Sequence, residues 1–218
     1  MERLARQVQC LLLCAPTPCS PSNVQETQKL LQQPDLDWKD ASAAIEELAT
    51  AVETLGHADS YKDAVRLLVG VSRDIGMQVI SIRSRLVKDV CEHLLRIVKV
   101  TGRDFQDLAN ALLPQIVHTA KNSSAAVRQP GAKLLCKVSE LVRYDVSLMR
   151  KIFAQLTQDK VHVLLLEQLR VIFVYWSDDE VMAWESDVLE MIRQGLDDQN
   201  VNVRKTAREV LTTFSSRW

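Results

Sequence analysis

Helical periodicity is the feature that most constrains how this chain can fold. From Pro21 onward, apolar side chains recur three or four positions apart, and no window shows the sustained two-residue alternation of a half-buried strand. One stripe on a single helix face comprises Ala44, Ile45, Leu48, Val52 and Leu55. Short segments rich in Gly, Asn, Asp and Ser separate such stripes. The pattern predicts an all-α chain of about ten helices in series.

An internal repeat organises these helices. The segments that open every second helix share an apolar or aromatic residue followed by a cation: Trp38-Lys39, Ile82-Arg83, Val127-Arg128 and Val203-Arg204, with a weaker copy at Val161-His162. A spacing of about 40 residues, with two helices per unit, is typical of HEAT repeats. One antiparallel pair cannot bury its own apolar face, so pairs must stack, and small residues such as Ala132 and Ala207 let them approach. We predict an α-solenoid of about five to six HEAT-like antiparallel helix pairs forming a flat, slightly curved paddle.

The loops within the pairs should line one edge of this paddle, at residues 34–39, 77–85, 121–128, 159–163 and 197–205. Trp38 either packs back on its own repeat or anchors a partner. Arg128 and Arg204 either join an Asp of the neighbouring repeat in a structural ladder or face outward. The cations expected to face solvent are Lys39, Arg85, Lys121 and Lys205. An aromatic anchor beside a row of cations favours docking of a large acidic protein surface.

Composition disfavours several other classes. Lys and Arg number 27 and Asp and Glu 28, a balance that argues against a nucleic-acid binder. The apolar run 161–176 is interrupted by Glu167 and Arg170, so no membrane span is expected. Five scattered cysteines do not form a disulfide framework and favour a reducing cytosolic compartment.

No pattern in the sequence predicts catalysis, a metal or another cofactor, so we do not expect an enzyme. Phosphate-binding glycine loops are absent, and the four histidines lack metal-ligand spacing, which favours structural or solvent roles. Cys10, Cys14 and Cys19 favour an apolar helix face over a zinc site. Cys91 and Cys136 are predicted to be buried small hydrophobic residues. The acidic run 178–180 is predicted to cap a helix.

Two regions are predicted along the chain. Residues 1–22 form an amphipathic N-terminal extension and linker, which could contact a partner or another copy of the chain. Residues 23–218 form the HEAT-repeat domain.

The Trp38-Lys39 loop, followed by SIRSRLVKDVCEHL at residues 81–94, resembles a TOG domain of the CLASP type or the related crescerin type. The second segment is similar to the LRSQVV-type second repeat of CLASP proteins. The resemblance covers roughly residues 23–218, although only the first two loops are distinctive. It implies a non-enzymatic microtubule-regulatory module that binds the αβ-tubulin heterodimer or the microtubule through the loop edge and promotes growth or stabilisation. It further implies the cytoplasm and the microtubule cytoskeleton, including centrosome, spindle or cilium, and a monomer that binds neither nucleic acid nor membrane.

The resemblance also implies which residues meet tubulin. Position by position these are Trp38 and Lys39 in the first loop, Val79 (or Ile80), Arg83 and Arg85 in the second, Lys121 in the third, Lys160 in the fourth, and Arg204 with Lys205 in the fifth. The fourth loop departs from the family, because His162 stands where a second strong cation is expected. The family has six repeats, whereas five are readable here, up to Trp218.

Two other functions remain open at this point. The chain could be a generic HEAT or armadillo scaffold or adaptor that binds a protein or peptide on its concave face. It could also be an RNA- or DNA-binding helical repeat, which the net charge of −1 disfavours.

Overall fold

A computed structural model describes residues 27, 29–33, 36–55 and 61–218. Within them it contains eleven α-helices with defined bounds, one 3₁₀ turn at Gly102–Phe105, and no strand. The helices are α1 (Trp38–Leu55), α2 (Tyr61–Gly70), α3 (Ser72–Val79), α4 (Ser84–Thr101), α5 (Gln106–Ala120), α6 (Ala125–Leu141), α7 (Val146–Gln155), α8 (Asp159–Tyr175), α9 (Asp178–Met182), α10 (Glu185–Leu196) and α11 (Val201–Arg217).

The helices form two layers. Helices α1, α4, α6, α8 and α11 pack side by side in chain order, and α3, α5, α7 and α10 line the other side of the stack. Helix α5 packs on α6, and α10 packs on α11, as partners of one antiparallel pair. The predicted all-α solenoid of HEAT-like pairs is therefore confirmed.

One apolar core runs through the stack. Its largest buried side chains include Phe105, Tyr144 and Phe173. The polar atoms that enter this core are mostly paired: the hydroxyls of Tyr144 and Ser139 lie 2.9 Å apart, and the indole nitrogen of Trp176 donates to the Ser139 carbonyl at 2.9 Å. Such pairing removes the cost of burying polar groups among apolar ones.

The structure corrects the register of the repeat. Val127, Val161 and Val203 each occupy the third position of their helix and are buried. The equivalent residue of α4 is Leu86, whereas Ile82 lies before the helix and is 98% exposed. The alignment of Ile82-Arg83 with the other pairs was wrong because α4 begins only at Ser84, after both residues, whereas the other pairs lie inside the first turn of their helices. Trp38, in the first position of α1, is likewise out of register with the buried valines.

Small residues allow the closest helix contacts, as predicted for Ala207, whose Cβ lies near Gly195. At the α5–α6 contact, the residue of α6 that comes nearest to the α5 backbone is Gly131, which precedes Ala132. A Cβ at position 131 would lie 2.7 Å from Thr119 Cγ2 and 2.8 Å from the Ala120 backbone nitrogen. Because the second obstacle is backbone, it cannot rotate away.

Several smaller predictions are also decided. Residues 178–180 open α9 as the N-terminal cap that was predicted, with Ser177 and Glu180 forming a capping box. The apolar run 161–176 lies largely in α8, and no helix in the described residues is long and apolar enough to cross a bilayer.

Cys91 is buried as predicted, but Cys136 is exposed, so its prediction was wrong. Helical periodicity did not show that position 136 points away from both neighbouring helices.

The predictions for residues 1–22, including Cys10, Cys14 and Cys19, lie outside the described residues.

Substitution of Gly131 by Ala should lower the free energy of unfolding by about 1–3 kcal/mol, because the added methyl group overpacks the α5–α6 contact. Gly76→Ala is the matched control. Its Cβ would meet only the flexible Gln115 side chain, at 3.3 Å, so the gain in helix propensity should leave it neutral or up to about 1 kcal/mol more stable. Urea unfolding followed by circular dichroism measures both values. Equal effects of the two substitutions would contradict the packing at Gly131.

The two described cysteines should differ in reactivity. Burial raises the pKa of the Cys91 thiol to about 12, so the nucleophilic thiolate is scarce at neutral pH. Native protein treated with N-ethylmaleimide and mapped by peptide mass spectrometry should carry label on Cys136 but not on Cys91. Labelling in denaturant should reach both residues. Early labelling of Cys91 in native protein would show that α4 is not packed as described.

Candidate functional site

Five loops lead into the helices of the layer α1–α4–α6–α8–α11. Because these helices run side by side, the loops lie along one border of the stack. We call this border, with the first turns of the helices that follow, the loop edge. Its loops are numbered in chain order: loop 1 (36–37), loop 2 (80–83), loop 3 (121–124), loop 4 (156–158) and loop 5 (197–200).

Short polar side chains hold most of these loops in shape. In each case an oxygen accepts the backbone N–H two residues further on, a contact that stabilises turns. The pairs are Asp37 with Lys39 (2.9 Å), Ser81 with Arg83 (3.3 Å), Asn122 with Ser124 (2.9 Å), Asp198 with Asn200 (2.7 Å) and Asn200 with Asn202 (2.8 Å). The loop edge is therefore preorganised.

Side chains also tie neighbouring loops together. Thr119 at the end of α5 donates its hydroxyl to the Val79 carbonyl at 2.8 Å, which joins loop 3 to loop 2. The Asn200 amide donates to Asp159 Oδ2 at 2.6 Å, which joins loop 5 to the start of α8. His162 lies 2.6 Å from Asp198 Oδ2.

His162 has a structural role. Its second ring nitrogen lies 3.1 Å from the Phe153 carbonyl, and its ring stacks on the Phe153 ring with centroids 4.2 Å apart. The imidazole is thus enclosed between α7, α8 and loop 5. This explains why loop 4 has a histidine where the family resemblance implied a surface cation.

Trp38 packs back on its own repeat, as one interpretation of its position expected, and still leaves part of its ring accessible at the loop edge. The Lys39 ammonium lies 5.8 Å from the ring centroid, and the Arg83 guanidinium of loop 2 lies 5.9 Å from it. These cation–π contacts bring Trp38, Lys39 and Arg83 into one cluster across two loops.

Ile82 is a candidate contact residue that sequence reasoning missed. It stands next to Arg83, is 98% exposed, and packs against nothing in the described part of the chain. An isoleucine between Ser81 and Arg83 in a polar loop was the available signal. The assumed helical register concealed it, because that register placed Ile82 with the buried valines.

Arg128 and Arg204 are engaged within their own loops. Arg128 donates to the carbonyls of Asn122 and Ser123 at 3.1 and 3.0 Å. Arg204 donates to those of Asp198 and Gln199 at 2.8 and 2.7 Å. The role is structural, but the partners are backbone carbonyls of the same loop, so the proposed ladder to a neighbouring Asp was wrong. Arg204 thus secures loop 5.

The remaining predicted contact residues divide by exposure. Val79 is fully buried, so its side chain cannot touch a partner, and its alternative Ile80 is 37% exposed. Arg85 is exposed and only loosely paired with Asp89 at 3.9 Å. Lys160 and Lys205 are exposed, and Lys121 is half-buried. The structure brings Lys121 and Lys160 together on one groove, while Lys205 lies at the far end of the loop edge.

The loop edge offers binding chemistry: an aromatic ring, an exposed aliphatic side chain and a row of cations on rigid loops. No group of three or more His, Cys, Asp or Glu residues that could hold a metal ion occurs among the residues described.

The family model for the CLASP N terminal matches residues 22–218. The chain belongs to this family. A search of curated proteins finds no match. The TOG/HEAT-like fold of this CLASP-family chain is that of a non-enzymatic scaffold.

Solved structures share the fold of this CLASP-family chain. The CEP104 TOG domain is 13% identical with a TM-score of 0.60, over 93% of this chain and 87% of that one. A structure described as "TOG-tubulin binding specificity promotes microtubule dynamics and mitotic spindle formation" is 14% identical with a TM-score of 0.54, over 97% and 91%. The MAST/Orbit N-terminal domain is 17% identical with a TM-score of 0.52, over 87% and 82%. Family and fold together identify a TOG domain of the CLASP or crescerin type.

Arg204 and Lys205, adjacent cations near the start of α11, should contribute differently to the free energy of unfolding. Arg204→Ala removes two charge-assisted hydrogen bonds and should lower the free energy of unfolding by about 1–2 kcal/mol. Lys205→Ala removes an exposed side chain and should change it by less than about 0.5 kcal/mol. Thermal unfolding of the two variants beside wild type makes the comparison. A larger loss for Lys205→Ala would be incompatible with these roles.

Proposed function

We propose that this TOG domain is a non-enzymatic microtubule-regulatory module that binds the αβ-tubulin heterodimer through its loop edge. The observation that carries the proposal is the cluster of Trp38, Ile82 and Arg83 on two adjoining loops. The description of one solved relative in fold names TOG–tubulin binding, which supports the choice of partner.

The cluster has the chemistry of an interface anchor. Aromatic and arginine side chains dominate the energetics of protein interfaces, especially where they are enclosed by the partner. Burial of Ile82 would contribute about 1.5–3 kcal/mol, since almost its whole side chain is now in water. Arg83 follows Ile82 directly in the sequence, and its guanidinium lies against the Trp38 ring. One patch of a partner can therefore touch all three side chains.

The rest of the loop edge supplies charge. The exposed cations Lys39, Arg85, Lys160 and Lys205, with half-buried Lys121, spread positive charge over all five repeats. Such a row suits an acidic partner surface and accelerates encounter with it, an effect that salt weakens. Arg204 and Arg128 support this row indirectly by holding the loops that carry it.

Rigidity suits recognition of a partner by its shape. Loops 2, 3 and 5 are held in shape by their own side chains, so little ordering is needed when a partner binds. A preformed edge of this kind can hold a curved tubulin dimer or the end of a microtubule lattice. In this proposal the module promotes growth or stabilisation, associates with the microtubule cytoskeleton, and acts as a monomer without nucleic acid or membrane.

The test is size-exclusion chromatography with light scattering of the chain mixed with αβ-tubulin at low salt. Wild type should form a one-to-one complex, and Trp38→Ala combined with Arg83→Ala should abolish it because both halves of the anchor are lost. Ile82→Ser should weaken the complex about tenfold or more, since its apolar burial is lost. Circular dichroism should show unchanged helicity in these variants.

A matched control lies at the opposite border of the same helix layer, at the ends of α4 and α8. Tyr175→Ala with Lys99→Ala also removes one exposed aromatic residue and one exposed cation, and should leave tubulin binding unchanged. Complex formation that survives the Trp38/Arg83 substitutions, or is lost equally in the control, would refute the loop edge as the tubulin site. No complex with folded wild type would refute tubulin as the partner.

A further inference from the structure

A groove of about 850 Å³ opens behind the loop edge, between the first turns of α6 and α8. It lies where the ties between neighbouring loops are interrupted. Loops 2 and 3 are joined through Thr119, and loops 4 and 5 through Asp198 and Asn200. In the described residues no hydrogen bond or ion pair joins loop 3 to loop 4, and the groove occupies that gap.

The floor of the groove is aliphatic. It consists of Ala120 and Ala132 on one side and Val163 and Leu164 on the other, the last three only partly buried. Alanines at 120 and 132 leave room for a side chain from outside. An aliphatic side chain of leucine size would remove its own apolar surface and that of the groove floor from water.

The rim of the groove is cationic. Lys121 and Lys160 form no ion pair within the described structure, and the Arg128 guanidinium contacts only backbone carbonyls of loop 3. Two acids also line the groove: Asp159, which accepts a hydrogen bond from the neutral Asn200 amide and keeps its negative charge, and Glu167, two turns further along α8. At the loop end the three cations Lys121, Arg128 and Lys160 outnumber the single carboxylate of Asp159, so this end of the groove is positive.

We propose that this groove binds a short linear segment of another protein, in which an aliphatic side chain is flanked by acidic residues. The aliphatic residue occupies the floor, and the carboxylates pair with Lys121, Arg128 and Lys160. Charge complementarity selects an acidic segment, and the floor selects a peptide over a polynucleotide, because no aromatic side chain lines the groove for base stacking. The site shares Lys121 and Lys160 with the row of cations proposed to meet tubulin, but it adds an aliphatic floor that the tubulin proposal does not use, and it does not involve Trp38.

Fluorescence anisotropy with labelled nonapeptides tests the proposal on the full chain. One peptide carries a central leucine between runs of glutamate, and the other is all glutamate. The leucine peptide should bind about tenfold tighter or more, because only it fills the floor. Equal binding of the two peptides would overturn the proposal, as would equally tight binding of a deoxythymidine oligonucleotide.

Variants separate this groove from general charge effects and from the tubulin site. Lys121→Glu combined with Lys160→Glu should raise the dissociation constant of the leucine peptide at least about tenfold. The matched charge reversal is Lys99→Glu combined with Lys151→Glu, at exposed residues away from the groove. It should change the dissociation constant of the leucine peptide less than about twofold. Ala132→Leu, checked for folding, should remove the preference for leucine. Equal losses in the two charge-reversal variants would overturn the proposal.

The Trp38→Ala/Arg83→Ala variant should bind the leucine peptide as wild type does. Peptide binding by a chain that fails to bind tubulin would therefore leave this inference standing while the proposed function fails. Tubulin binding without peptide binding would overturn this inference and leave the proposed function standing. If the Trp38→Ala/Arg83→Ala variant no longer binds the leucine peptide, the assignment of the groove as a separate site is overturned.

Discussion

The structure depends on the inability of any one helix pair to bury its own apolar face. Each second helix must therefore lie against the second helix of the next repeat. Within a pair the packing is also close: at the α5–α6 contact Gly131 leaves no room even for a methyl group. This stacking places the starts of α1, α4, α6, α8 and α11 along one border. Core packing alone therefore produces the loop edge, whichever residues its loops carry.

Function then rests on the side chains that the scaffold does not use. Arg204 and His162 share their loops with surface cations, yet both are occupied by holding loop 5 in place. Trp38 contributes to the core and to the surface at once. Ile82 contributes nothing to packing, and Lys160 forms no ion pair among the described residues. These side chains stabilise the fold little, so they are free to serve the proposed contact with a partner.

Periodicity was a reliable guide to the helices and a poor guide to individual loop residues. It predicted the stack and the buried Cys91, because regular spacing shows which face of each helix is apolar and must be covered, and turn chemistry predicted the cap at residues 178–180, which depends on contacts within a few residues. It misplaced Ile82 because α4 begins only at Ser84, two residues after Ile82, whereas α6, α8 and α11 each begin two residues before the buried valine. It misjudged Cys136 because a helix face alone does not show which neighbour covers it. Val79 was offered as a contact residue by the family resemblance rather than by periodicity, and the structure buries it.

The sequence by itself determined that the chain is helical, that its helices pair and stack, and that Trp38 and a row of cations fall in the loops. Those properties follow from spacing along one chain. Only the tertiary structure decided that Arg83 reaches the Trp38 ring, that Arg204 is engaged by its own loop, and that a groove separates loop 3 from loop 4. Such contacts depend on distances between residues far apart in sequence, which are set when the repeats pack together.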